Sequence, residues 1–195
     1  MRDYIISCCS TADLTEEHFK ARDISYICFH FELDGREYAD DLGKSIPFDK
    51  FYAAMAAGAD TKTSQVNAEE FEEYFEPFLK AGKDILHVTL SSGLSGVINS
   101  AMIAKESLEE RYPDRRILIV DSLGASSGYG LLMDKLADLR DEGKSLDEVF
   151  RFAEKAPAER TSLVLLHRFE ILRKRRAHLE DSRCDRRCTE HLPAP

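Results

Sequence analysis

"DILHVTLSSGLSGVINSA", Asp84 to Ala101, joins two kinds of segment through one turn. DILHVTL is a short apolar run that predicts a strand, and SGVINSAMIAKESLEERY predicts a helix. The turn between them, SSGLSG, sets two glycines and three serines at the edge of the apolar run. Small residues there cost stability unless something needs the room. The same strand–turn–helix grammar recurs on both sides. DYIISCC reads as a buried strand and TADLTEEHFKAR as a capped helix, while RRILIVDS is a strand leading to the helix SSGYGLLMDKLADLRDEG. SLDEVFRFAEKA is a further helix with Ser145 as its cap, and PFDKFYAAMAAG is helical with a glycine stop. NAEEFEEYFEPFLKAG is amphipathic, with Asn67 as N-cap and Gly82 at its end. ISYICFHFEL and REYAD flank Asp34-Gly35, a two-residue hairpin signal. Strands alternating with helices imply an α/β fold, a mostly parallel sheet with helices on both faces.

Composition narrows the function. The chain has 195 residues, is 43% hydrophobic and carries a formal net charge of -9. It can bury a real core, and it has no long basic block, which argues against nucleic acid because phosphate binding needs clustered Lys and Arg. No stretch approaches the roughly 18 apolar residues of a membrane span, and the N-terminal YIISCC is too short for a signal peptide. Five cysteines, with Cys8 and Cys9 adjacent, suit reduced thiols in a cytoplasmic protein better than a disulfide framework.

In open parallel sheets, ligands bind outside the carboxyl ends of the strands. Three turns there are rich in small polar residues: CCSTADL, TLSSGLSG and VDSLGASSGYG. A fourth segment, TKTSQVN, leads into the amphipathic helix. Such turns expose N–H groups and hydroxyls that hold a phosphate or carboxylate without a cation. The simpler role for Ser92, Ser95 or Thr63 is capping the helix that follows. Other chemistry is poorly supported. There is no G-x-S-x-G elbow for a hydrolase, no P-loop lysine after SSGLSG, and SGYG is a poor match to a dinucleotide fingerprint. His87 lies within an apolar strand and reads as a core histidine. Asp121 closes its strand at the rim, where it orients hydroxyls or caps a turn. Cys184, Cys188 and His191 lack the fourth ligand and the spacing of a zinc site, so no metal is expected.

STADLT, KTSQVNAEEFEEYF, VTLSSGLSGVINSA and VDSLGASSGYGLL, in this order and spacing over about residues 1–160, resemble the DegV family. The resemblance implies a bacterial intracellular fatty-acid-binding protein. It also implies an α/β N-terminal domain, with the acyl chain buried against a second domain. Such proteins present the bound fatty acid to a fatty acid kinase and do no chemistry themselves. The residues it assigns to the carboxylate are Thr63, in TSQ, and Ser95, in GLSG, with Ser92 and Gly96 shaping the same pocket; it implies no catalytic residue, metal or cofactor. One departure is Cys9-Ser10, where the family usually has Asp-Ser, which removes a polar group from the first turn. The alternative is an enzyme on the same scaffold, using the Ser/Gly turns for a phosphorylated small molecule; no base accompanies those turns.

After Arg160 the pattern changes. Residues 161–195 crowd Arg, Cys and His behind an acidic domain. Back-translated with suitable synonymous codons and read one base on, EDSRCDRRC becomes KTAGAIGA and TEHLPA becomes LNICP, strings similar to the second domain of a DegV protein. Some positions are forced, since Glu-Asp yields only Lys or Arg in the shifted frame. The expectation is a frameshift near Arg160 or Thr161. Residues 161–195 would then be an aberrant tail, and this truncated chain would bind fatty acid weakly or not at all.

Overall fold

The computed structural model describes residues 3–156. Its strands are β1 (Tyr4–Cys9), β2 (Ile24–Ile27), β3 (His30–Leu33), β4 (Arg36–Ala39), β5 (Thr61–Ser64), β6 (Asp84–Thr89) and β7 (Ile117–Asp121). Its helices are α1 (Glu16–Ala21), α2 (Phe48–Ala56), α3 (Ala68–Lys80), α4 (Val97–Arg111) and α5 (Ser126–Asp141), with α6 described over 146–156. Four strands form a parallel sheet in the order β2-β1-β6-β7, and three form an antiparallel sheet in the order β4-β3-β5.

The parallel sheet is covered on both faces, which is why its strands read as continuous apolar runs. Ile6, Cys8, Leu86, Val88 and Val120 face Phe19 of α1, Met133 and Leu136 of α5, and Val149 of α6. The alternate residues Cys9, Ile85 and Ile117 face Phe71 and Phe75 of α3 and Ala101 and Leu108 of α4. From β1 the chain steps one way, to β2; from β6 it steps the other way, to β7. Right-handed crossovers in opposite directions put their helices on opposite faces. A crevice therefore opens between the carboxyl ends of β1 and β6, the switch point of the sheet.

Three local expectations are corrected. ISYICFHFEL is not one strand: β2 stays in the parallel sheet, and β3 begins the antiparallel one. The chain changes sheets at Cys28 and Phe29, and the Ser10 hydroxyl accepts the Phe29 amide at 3.1 Å there. TKTSQVN contains strand β5, which its polar residues hide because it pairs at an edge. TADLTEEHFKAR is helical only from Glu16, because Asp13 adopts a left-handed φ of 53° and Thr15 supplies the cap, accepting from the His18 amide. The hairpin at Asp34-Gly35 is a two-residue loop between paired Leu33 and Arg36, both turn residues having positive φ. Asn67 and Glu70 form the reciprocal capping box of α3, and Ser145 and Glu148 do the same before α6.

Candidate functional site

At the switch point the antiparallel sheet and α2 stand over the ends of β1 and β6 and enclose a cavity of about 800 Å³. That lies within the range of about 300–1,000 Å³ usual for ligand clefts. Thr11 and Asp13 come from the turn after β1, and Leu90, Leu94, Ser95 and Gly96 from the turn after β6. Phe29 and Phe31, then Phe48, Phe51 and Tyr52, make a mostly aromatic wall. Phe51 meets Phe31 edge-on at 5.0 Å, and Phe31 stacks on Tyr38 at 5.3 Å. These rings hold α2 against the small sheet.

Thr63 reaches the cavity by register. It sits directly opposite Phe31 across the β3–β5 pair, so both side chains share one face. Gln65, just past β5, ties that strand to α4. Its Oε1 accepts from the Ser95 hydroxyl at 2.8 Å, and its Nε2 donates to the Ser100 hydroxyl at 3.3 Å. The Ser95 oxygen also accepts the Val97 amide at 3.2 Å, but the N-cap of α4 is Gly96, one residue on. A Cβ on Gly96 would lie 3.4 Å from Gln65 Oε1, which fits the bare backbone found there. Thr63, Ser95 and Gly96 thus all line the cavity, the latter two at the start of the fifteen-residue helix α4.

Ser92 is not with them. Its amide donates to the Asp121 carboxylate at 3.1 Å, which holds it beside the β7 turn and off the cavity wall. The turn VDSLGASSGYG is also set apart, and its small residues serve packing. Asp121 accepts the Leu123 amide as well. A Cβ on Gly130 would lie 2.7 Å from the Ala12 carbonyl oxygen, so α5 passes too close for any side chain. The buried Tyr129 hydroxyl accepts the Cys9 amide at 3.1 Å and donates to the Val88 carbonyl, bracing β1 against β6.

The buried polar groups of the core fit structure better than catalysis. Ser7 Oγ lies 2.9 Å from His87 Nδ1 and 2.8 Å from the Tyr74 hydroxyl. Ser7 and His87 are fully buried, however, and His87 is edge-on to the rings of Phe71 and Phe75. Burial pushes His87 down to about 3, so it is neutral, a satisfied core histidine. Burial likewise pushes the Cys9 thiol up to about 12 and Cys28 to about 11, which removes the thiolates that nucleophilic chemistry needs. At the altered first turn, Ser10 keeps a polar contact through Phe29, and Cys9 is buried in the core. Among the described residues no group of three His, Cys, Asp or Glu could hold a metal, and no helix is long and apolar enough to cross a membrane. Cys184, Cys188, His191 and the whole 161–195 segment lie outside the described residues.

The sequence reading missed Gln65, Thr11, Asp40 and the aromatic wall. Gln65 had a signal, since it stands inside the quoted TSQ. The wall did not, because its rings come from β3 and α2 and meet only in the fold.

Comparison with known proteins matches this arrangement. A DegV domain-containing protein of Clostridium perfringens is 40% identical over 154 residues, which is 79% of this chain and 53% of that protein. Its counterpart in Lactococcus lactis is 37% identical over 140 residues, 71% of this chain and 48% of that one. The chain therefore spans about half the length of the curated relatives it matches. Among solved structures, a stearic-acid-binding protein from Eubacterium ventriosum superposes with a TM-score of 0.71 at 28% identity, over 77% of this chain and 52% of that one. The Fatty Acid Kinase B3 protein of Streptococcus pneumoniae, loaded with linoleic acid, gives 0.64 at 28%, again over 77% and 52%. The family described as "Uncharacterised protein, DegV family" matches residues 6–176, running on past Arg160. With its doubly covered parallel sheet and its cavity at the switch point, this chain belongs to the DegV family.

Proposed function

We propose that the cavity holds a long-chain fatty acid, with the carboxylate at Thr63, Ser95 and Gly96 and the acyl chain along Phe31, Phe51 and Leu94. One observation carries this: a single cavity that brings neutral donors at a helix N-terminus together with an aromatic and aliphatic wall. Neutral hydroxyls, a backbone amide and the helix dipole suit a carboxylate, and the wall suits an alkyl chain. Binding exchanges partners at Ser95, whose hydroxyl turns from Gln65 Oε1 to the ligand. Ser92 acts at most from behind, through the turn that Asp121 holds.

The role that follows is a cytoplasmic carrier that presents the carboxylate to a fatty acid kinase and takes no part in the chemistry. The buried Ser7–His87 pair, the protonated thiols and the lack of a base beside Ser95 among the described residues support a carrier over an enzyme acting on a phosphorylated compound. We propose that residues 1–160 are the N-terminal half of a two-domain carrier. Phe48, Tyr52 and Leu94 are 55%, 64% and 59% exposed at the cavity rim, so binding by this chain alone is expected to be weak.

The test is mass spectrometry of a lipid extract from the purified chain, after incubation with oleate. A bound acyl chain that Thr63→Ala and Ser95→Ala each release supports the reading. A chain that takes up no lipid, or variants that retain it fully, overturns it.

A further inference from the structure

The cavity carries an unexpected charge. Among its described lining residues there are three aspartates, Asp13, Asp40 and Asp41, and no Lys or Arg. Asp40 follows β4 on one side of β3, and Thr63 lies in β5 on the other side. Two strand spacings, with an offset of two residues between Phe29 and Phe31, put the two backbones roughly 12 Å apart. The Asp40 amide donates to the Phe29 carbonyl at 2.8 Å, which fixes it beside the wall.

The groups facing Asp40 leave its charge uncompensated. Asp13, from the β1 turn, and Asp41 are of like sign. Lys44 is drawn away to Glu16, 2.9 Å distant, and His30 is paired with Glu70 at 3.1 Å. Cys28, between β2 and β3, is a protonated thiol. Burial raises the Asp40 carboxyl, a hydrogen bond with Ser10 opposes that, and the charges of Asp13 and Asp41 raise it further.

We infer that Asp40 sets the charge state in which the cavity accepts its ligand, so that a fatty acid binds with uptake of a proton. This rests on the fatty-acid reading above. A ligand carboxylate entering at Thr63 adds a negative charge near Asp40. Each then raises the other's affinity for protons, and the complex holds more protons than its separated parts. Affinity therefore falls as pH rises. At such a distance in a half-buried site, one charge changes affinity about threefold to tenfold.

The experiment uses the full chain, stripped of lipid. The Kd of sodium oleate and of oleyl alcohol, both below their aggregation limits, is measured at pH 6 and pH 8 for the parent, Asp40→Asn and Asp13→Asn. Oleate is expected to bind tighter at pH 6 than at pH 8, by at most the roughly threefold to tenfold of one full charge. Asp40→Asn is expected to tighten oleate binding at pH 8 by a similar factor and to flatten the pH dependence. Oleyl alcohol has no charge, so it reports whether a variant still forms the cavity; if Asp40→Asn fails that check, Asp13→Asn carries the test. Equal oleate Kd values at both pH values and in the variants overturn the inference. Weaker oleate binding in Asp40→Asn, with oleyl alcohol retained, also overturns it and makes Asp40 a holder of the carboxyl group. If neither ligand binds the parent, the fatty-acid reading falls and the inference falls with it.

Discussion

The two sheets of this molecule are built on opposite terms. The parallel sheet is packed on both faces, and even its polar groups, Ser7 and His87, are satisfied inside it. The antiparallel sheet has no such core. Its strands are four residues each, α2 above it buries none of its residues fully, and its aromatic face looks onto the cavity. Stability is concentrated in one sheet and an open apolar surface in the other. On the proposed function, the weakest packing lies where the ligand would go.

The sharpest way to break that comparison is to empty one ring from each side. Phe75→Ala, under the parallel sheet, is expected to cost about 3–5 kcal/mol in urea unfolding. Phe51→Ala, beside the cavity, is expected to cost under about 1.5 kcal/mol of stability and to lose about tenfold in oleate affinity. Equal costs in unfolding would remove the distinction between the sheets.

A second test overpacks the seam where α5 meets the β1 turn. Gly130→Ala places a Cβ 2.7 Å from the Ala12 carbonyl oxygen and 2.9 Å from the Leu14 side chain, and an expected loss of about 1–3 kcal/mol follows. Gly128, in the same helix, has nothing within 4 Å of such a Cβ. Gly128→Ala is expected to be neutral or slightly stabilising, and an equal loss at both positions would show that the seam is not the cause.

A third sharpens the polar core. His87 is pushed down to about 3 when folded, against an ordinary value of 6.5. Between those values the unfolded chain binds the extra proton, so stability is fully present above 6.5 and falls as pH drops toward 3. The slope is up to about 1.4 kcal/mol per pH unit. His87→Gln is expected to lose this slope in denaturant titrations at pH 7, 6 and 5, and a parent whose stability stays flat over that range would contradict a buried neutral imidazole.

The smallest effect on folding belongs to the rim. Ser95→Ala is expected to move stability by no more than about 1 kcal/mol, since its hydroxyl caps only the Val97 amide and holds Gln65. Its oleate affinity is expected to fall about fivefold to tenfold, read by the same titrations. A large loss of stability without a loss of affinity would make Ser95 a cap alone.

The parallel half was legible because its signals are local. An apolar run, a turn of small residues and a capped amphipathic helix repeat along the chain, and Asn67 and Ser145 cap where their positions suggest. The antiparallel half was only half legible. Asp34-Gly35 announces its turn, yet β5 reads as Thr-Lys-Thr-Ser and carries no apolar alternation, and nothing near Cys28 marks the change of sheet. The site divided in the same way. Thr63, Ser95 and Gly96 came from motif resemblance and meet at the cavity. Ser92 looked equivalent in SSGLSG, but its amide is taken by Asp121, 29 residues away in sequence, and no local pattern reports that. The aspartates escaped for the same reason, coming from two separate loops.

The hydroxyl of Tyr129 has one more consequence. It joins the ends of β1 and β6 through a ring held in the core, so the gap between the two strand ends has a fixed width whether or not anything occupies it. A site framed in that way needs no shift of these strands before it is filled. Capture is then limited by encounter, and the length of time a ligand stays is set by how it leaves.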